Sequence, residues 1–127
     1  MIEVGCWAHA RRYFKQALDS DKELASEAIL KIRELYAVER AAKERGLTVD
    51  SVKQLRAIHS LPILDWQKPW LEITRTQVLD KSPMAKAIDY ALSNRPALTR
   101  YITDGRWAID NNAARRGLRS VAVGRKN

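Results

Sequence analysis

Apolar residues recur at helical spacing along most of the chain, and strand-like runs are confined to its two ends. Trp7, Ala10, Phe14 and Ala17 share one side of a predicted helix over residues 7–19, with Arg11, Arg12 and Lys15 spread over the rest. A longer helix is predicted from Lys22 to Arg45. There Leu24, Ala28, Ile32, Leu35 and Tyr36 keep the period, and Gly46 supplies a C-terminal cap. Thr48 or Asp50 can cap the next helix, which carries Val52, Leu55 and Ile58 toward Ser60. Leu61-Pro62 then either breaks that helix or opens a new one, because proline lacks an N–H yet is tolerated in a first turn.

From Ile63 to about Leu79 the pattern continues through Leu64, Trp66, Trp70 and Leu71, and Pro69 predicts a kink. Ser82-Pro83 is a helix start, a capping hydroxyl followed by a proline whose missing N–H is harmless. The helix to Asn94 is expected to bury Ala87, Ile88, Ala91 and Leu92. Pro96 opens a short helix through Tyr101, and Asp104-Gly105 is a turn. Asp110 can cap a final helix over 111–118, and Val121 to Gly124 reads as a short strand, as does Ile2-Glu3-Val4 at the other end.

The pattern describes one mainly α unit over residues 1–127. Its body is a bundle-like helical region over about 20–103, with the final helix and short strand over 110–124. Short extended segments without a sheet between them are unstable alone. The expectation is therefore a piece of a larger protein, whose other parts supply the missing strands.

Charge changes the picture more than composition does. The chain has 23 Lys+Arg against 15 Asp+Glu, a formal net charge of +8, which favours a polyanionic partner through counterion release. Six basic residues from Arg106 onward (Arg106, Arg115, Arg116, Arg119, Arg125, Lys126) face one acid, Asp110. Arg119 lies four residues from Arg115 and three from Arg116 on one predicted helix, where like charges repel unless an anion lies across them. Arg11 and Arg12 add a second basic pair suited to phosphate oxygens, against the plainer reading of a solvated face. Asp110-Asn111-Asn112 is a helix cap that could also hold phosphate or position metal-bound water. Trp66, Trp70 and Trp107 could stack on bases, although at this spacing tryptophans more often belong to the core.

Other chemistries are weakly supplied. Cys6 and His9 have half the spacing of a zinc site, but the only other histidine, His59, stands alone, so burial of Cys6 and a polar contact for His9 are expected. A lone cysteine excludes an internal disulfide and fits a reducing compartment. No apolar run approaches the ~18 residues of a membrane span, and Glu3, Arg11 and Arg12 interrupt the only signal-like start. A cytoplasmic protein without a membrane partner is expected.

Taken in order, the run Gly5-Cys-Trp-Ala-His-Ala-Arg-Arg-Tyr-Phe14, the pair Leu35-Tyr36 with Glu39, Ser60 with Pro62 and Leu64, Lys81-Ser82-Pro83 with Ala87, Tyr90, Ala91 and Leu92, and Asp110-Asn-Asn-Ala-Ala-Arg-Arg116 ending in Arg125-Lys-Asn127 resemble the insertion-sequence transposases of group sixty-six. The resemblance implies the C-terminal part of a ribonuclease-H-like α/β catalytic region. Its helical insertion would lie between the strand of a second catalytic aspartate and the helix of a catalytic glutamate. Two aspartates and that glutamate would bind two Mg²⁺ or Mn²⁺ ions for phosphodiester cleavage and strand transfer.

By the same resemblance the aspartates fall upstream of Ile2, and the family continues beyond Asn127. In the family's Asp-Asn-Asn-x-x-Glu-Arg block, Asp110, Asn111, Asn112 and Arg116 match, but Arg115 stands where the glutamate belongs. A cation there repels a divalent metal. The implied protein associates with transposon-end DNA through Arg11, Arg12, Arg116, Arg119, Arg125 and Lys126, with His9 and Asp110 to Asn112 in positioning roles. It needs no cofactor of its own and is not catalytic alone. A helical module that pairs with intact transposase, or with a second copy, is the alternative.

Overall fold

The computed structural model describes residues 6–110. Six α-helices follow in chain order: α1 (Trp7–Gln16), α2 (Lys22–Glu44), α3 (Val49–Leu55), α4 (Leu61–Arg75), α5 (Pro83–Ser93) and α6 (Arg95–Thr99). A π turn over Arg56–Ser60 joins α3 to α4, and a 3₁₀ turn over Arg100–Thr103 follows α6. No strand occurs among the described residues. One isolated antiparallel bridge pairs Cys6 with Asp110, bringing the two ends of the described region together.

The core lies where α1 packs on α2 and α5, and α4 packs on α5. Trp7, Ala10 and Phe14 meet Ala25, Ala28, Ile32 and Leu35 of α2, Leu64 and Leu71 of α4, and Met84, Ala87, Ile88 and Ala91 of α5 in one cluster. Each large side chain so buried contributes about 1.5–3 kcal/mol of transfer free energy. Trp7 also needs a partner for its indole N–H, and Nε1 donates to the Leu98 carbonyl at 2.9 Å.

Local signals set most boundaries. Thr48, not Asp50, caps α3: its Oγ1 accepts from the Ser51 N–H at 3.2 Å. Ser82 caps α5 by accepting from Ala85 N–H at 3.1 Å. After α2, Gly46 adopts φ 62°. Leu47 N–H then reaches the Ala42 carbonyl and Gly46 N–H the Lys43 carbonyl, which closes the helix end. Gly105 is required for space, because a Cβ there would collide with the Val49 carbonyl oxygen.

Three expectations need correction. The first helix ends at Gln16 rather than at residue 19, because Ala17 and Leu18 turn back onto the Phe14 and Lys15 carbonyls. The fourth helix ends at Arg75 rather than near Leu79, and Pro69 sits inside it without ending it. Leu61-Pro62 does not break the chain's helical path either. The preceding turn widens instead, so that Leu61 N–H bonds the Arg56 carbonyl, five residues back. A widened turn relieves the clash of the proline ring with the carbonyl four residues earlier, and Pro62 then occupies a first-turn position.

Candidate functional site

α1 begins on an extended Cys6, which offers its helix no side-chain cap. The first-turn Ala8 N–H is satisfied from 102 residues away, by Asp110 Oδ1 at 3.1 Å. A carboxylate at a helix N-terminus also complements the helix dipole. The Tyr36 hydroxyl donates to the same Oδ1 at 2.9 Å, and the Arg11 guanidinium lies over the Tyr36 ring, 4.8 Å from its centroid. Burial, and then the Asp110 charge, push the Tyr36 hydroxyl well above its ordinary pKa, so it remains a donor. Asp110 is expected from sequence to cap the helix that follows it. Here it caps α1; the helix over 111–118 lies outside the described residues.

The opposite side of α1 faces solvent. The helix carries Arg11, Arg12 and Lys15 and no acid. A cleft of about 470 Å³ is lined by His9, Arg12, Tyr13, Gln16 and Tyr90. Its floor is aromatic. The Tyr13 and Tyr90 rings sit 4.9 Å apart at an interplanar angle of 32°, and the Tyr90 hydroxyl accepts from Cys6 N–H at 3.3 Å. His9 Nδ1 is 3.5 Å from Cys6 Sγ, with Cys6 buried. Arg11 and Arg12 thus have different surroundings, because adjacent residues are about 100° apart around a helix of 3.6 residues per turn. Arg11 attends Tyr36 near Asp110, whereas Arg12 belongs to the cleft with His9.

A third basic residue has no part in the sequence-based site. Arg56 is 3% exposed and spends its donors within the fold. Nε and Nη2 grip the Glu39 carboxylate at 3.0 and 2.7 Å. Nη1 donates to the carbonyls of Tyr101 at 2.6 Å and Asp104 at 3.2 Å, and Nη2 to that of Trp107 at 2.8 Å. The guanidinium also stacks on the Tyr101 ring, 4.8 Å from its centroid. A buried ion pair is tolerable only when such additional bonds satisfy it. This hub fastens the 101–107 loop to α2 and the π turn, and so sets the path of the chain into Asp110. Glu39 is legible in the Leu35-Tyr36-x-x-Glu39 block, but its partner is not.

Of the other residues expected at the site, Asn111, Asn112, Arg115, Arg116, Arg119, Arg125 and Lys126 lie outside the described residues. Arg106, counted with the C-terminal cluster, is locally neutralised: Nη2 reaches Asp104 Oδ2 at 2.8 Å, and its N–H reaches Oδ1 at 2.9 Å. That pairing holds the Asp104 carboxyl down at about 2. Trp66 and Trp70 stack on each other, centroids 5.5 Å apart, with Lys31 over Trp66. Trp70 and Trp107 pack against the core cluster.

Among the described residues no group of three or more His, Cys, Asp or Glu side chains converges to hold a metal ion, and Asp110 Oδ1 already accepts two hydrogen bonds. No described helix is long and apolar enough to cross a membrane.

The whole chain, residues 1–127, matches the family model described as Transposase IS66 family. Three relatives from Sinorhizobium fredii (strain NBRC 101917 / NGR234) are similar along nearly its full length. They are the uncharacterized proteins y4qI, 37% identical over 98% of the chain, y4hP, 34% identical over 96%, and y4jD, 32% identical over 96%. The chain spans only about a quarter of those relatives, 23% of y4qI and 24% of each of the other two. No solved structure matches.

Proposed function

Because this chain belongs to the IS66 family of transposases, we propose that it is a DNA-associating helical unit of a transposase catalytic region, without phosphodiester-cleaving activity of its own. The observation that carries the association is the acid-free α1 surface, which presents Arg12 and Lys15 to solvent beside an open cleft. No carboxylate among the described residues pairs with either cation. Guanidinium and ammonium groups so placed bind phosphate oxygens and release counterions. Arg116, Arg119, Arg125 and Lys126 add to the chain's basic count.

The reading without cleavage rests on Arg115, which stands at the family's glutamate position. A cation there opposes the Mg²⁺ or Mn²⁺ that an intact family enzyme would use. On this reading the helices are the insertion of a ribonuclease-H-like domain, and their DNA is the transposon end.

Two assays test it. Retention of duplex DNA by the 127-residue chain is expected to fall steeply with salt. Replacing Arg116 and Arg119 together with Ala lowers the slope of log K against log salt by roughly one to two units. Supercoiled plasmid incubated with the chain and Mg²⁺ or Mn²⁺ is expected to stay intact; nicking by clean protein overturns the inactive half of the proposal.

A second reading, pairing with intact transposase or another copy, is favoured by exposed apolar side chains at Ile58, Leu61, Ile73 and Leu79. Salt-insensitive co-purification with the intact enzyme, combined with no DNA retention at low salt, would select it.

A further inference from the structure

We propose that the α1 cleft takes one unpaired nucleotide of a DNA strand, with its base on the outer face of Tyr13 and its phosphate on Arg12. The inference deepens the DNA-associating reading and rests on it. Three features point to a single nucleotide rather than to the duplex backbone alone.

The first is shape. About 470 Å³ is the volume of a small-molecule site, too small for a duplex but ample for a base swung out of its stack. The second is the floor. Tyr13 is 37% exposed, and its inner side rests on Tyr90, whose hydroxyl is tethered by the Cys6 N–H. A partly exposed ring that already packs on a neighbouring ring needs less ordering than an unsupported side chain when a base stacks on it. The third is the rim. Arg12 supplies a phosphate-binding fork, while Gln16 and His9 supply hydrogen-bonding groups of the kind that read a base edge. A surface for duplex phosphates alone would need the cation and not the aromatic floor.

The duplex and the unpaired strand are separated by one comparison. Anisotropy of a short fluorescein-labelled oligothymidylate, and of a labelled duplex of equal length, is measured with the full chain and with Tyr13→Leu. Leucine keeps an apolar contact for Tyr90 but removes the π face, and Tyr13→Phe restores that face without the hydroxyl.

The expected result is a roughly 5- to 100-fold loss of single-strand affinity for Tyr13→Leu, near-complete recovery for Tyr13→Phe, and duplex affinity unchanged within about twofold. Arg12→Ala should weaken both probes. If Tyr13→Leu folds with the native circular dichroism yet leaves single-strand affinity intact, or weakens both probes alike, the nucleotide site is overturned while DNA association stands. Failure of both probes to bind the native chain at low salt overturns the two readings together. Should Tyr13→Leu not fold, Tyr13→Phe and Tyr13→Ile provide the same contrast.

Discussion

Arg56 and Arg12 carry the same charge into opposite circumstances. Arg56 is enclosed by Glu39, three backbone carbonyls and the Tyr101 ring. Arg12 stands exposed at the rim of a cleft, on a helix with no acid to oppose it. One guanidinium has its donors consumed by the fold, and the other has no carboxylate partner among the described residues. A net charge of +8 therefore overstates the basic surface in one place and understates it in another. Arg106, paired with Asp104, falls between the two cases. What a basic residue can do is decided by its hydrogen-bond inventory and burial, not by its count.

The contrast breaks most visibly at Arg56. Arg56→Ala leaves Glu39 half-buried without its partner and orphans three carbonyls, so a loss of about 3–5 kcal/mol is expected in urea unfolding. Replacing both partners, with Arg56→Met and Glu39→Leu, should cost distinctly less than the single change, because no charge is then left unpaired. A smaller loss follows at the loop that Arg56 holds. Gly105→Ala forces a methyl group into the Val49 carbonyl and should cost about 1–3 kcal/mol. Tyr36→Phe removes one donor from Asp110 and should cost about 1–2 kcal/mol, an effect also read in unfolding midpoints.

Asp104 gives the smallest effect, and one that depends on pH. Its carboxyl lies at about 2, below the ordinary value of 3.8, because Arg106 donates to it. The folded-state pKa is depressed, so the associated stability is present above the ordinary value and is lost as pH falls toward about 2. Asp104→Asn should flatten that part of a stability–pH curve only slightly, since the pair is exposed. An unchanged acid limb would show that the pair forms no better in the folded chain than in the unfolded one.

Much of the fold is legible in the residues because the signals are local. Thr48, Ser82-Pro83 and Gly46 each act within one turn of themselves, and α2 and α5 have close to the bounds that these caps predict. The stretch around Pro62 shows where local reading fails. The buried residues there are Arg56, Ser60, Leu64, Gln67, Leu71 and Thr74, spaced four, four, three, four and three apart. That is one continuous helical stripe, but four of its six members are polar and a proline interrupts it. A search for apolar periodicity misses the stripe and leaves open whether Pro62 ends one helix or begins another.

The site is legible to a similar degree. His9 and Arg12 are visible in the sequence as members of a basic helix, and the structure places both on the cleft. Tyr13 and Tyr90 are not visible as a pair, because residues 77 positions apart meet only when α1 packs on α5. Asp110 offers the same lesson. Its identity predicts a cap for the helix after it, which lies outside the described residues, whereas its bond to the first turn of α1 appears only in the tertiary fold.

The most direct test of the central claim, that α1 presents a DNA-binding charge which the fold does not use, is the salt dependence of duplex binding by Arg12→Ala beside its thermal stability. The account predicts a slope of log K against log salt smaller by about one unit, with stability within about 0.5 kcal/mol of the native chain. An unchanged slope, or a slope that falls only because the variant has unfolded, would contradict it.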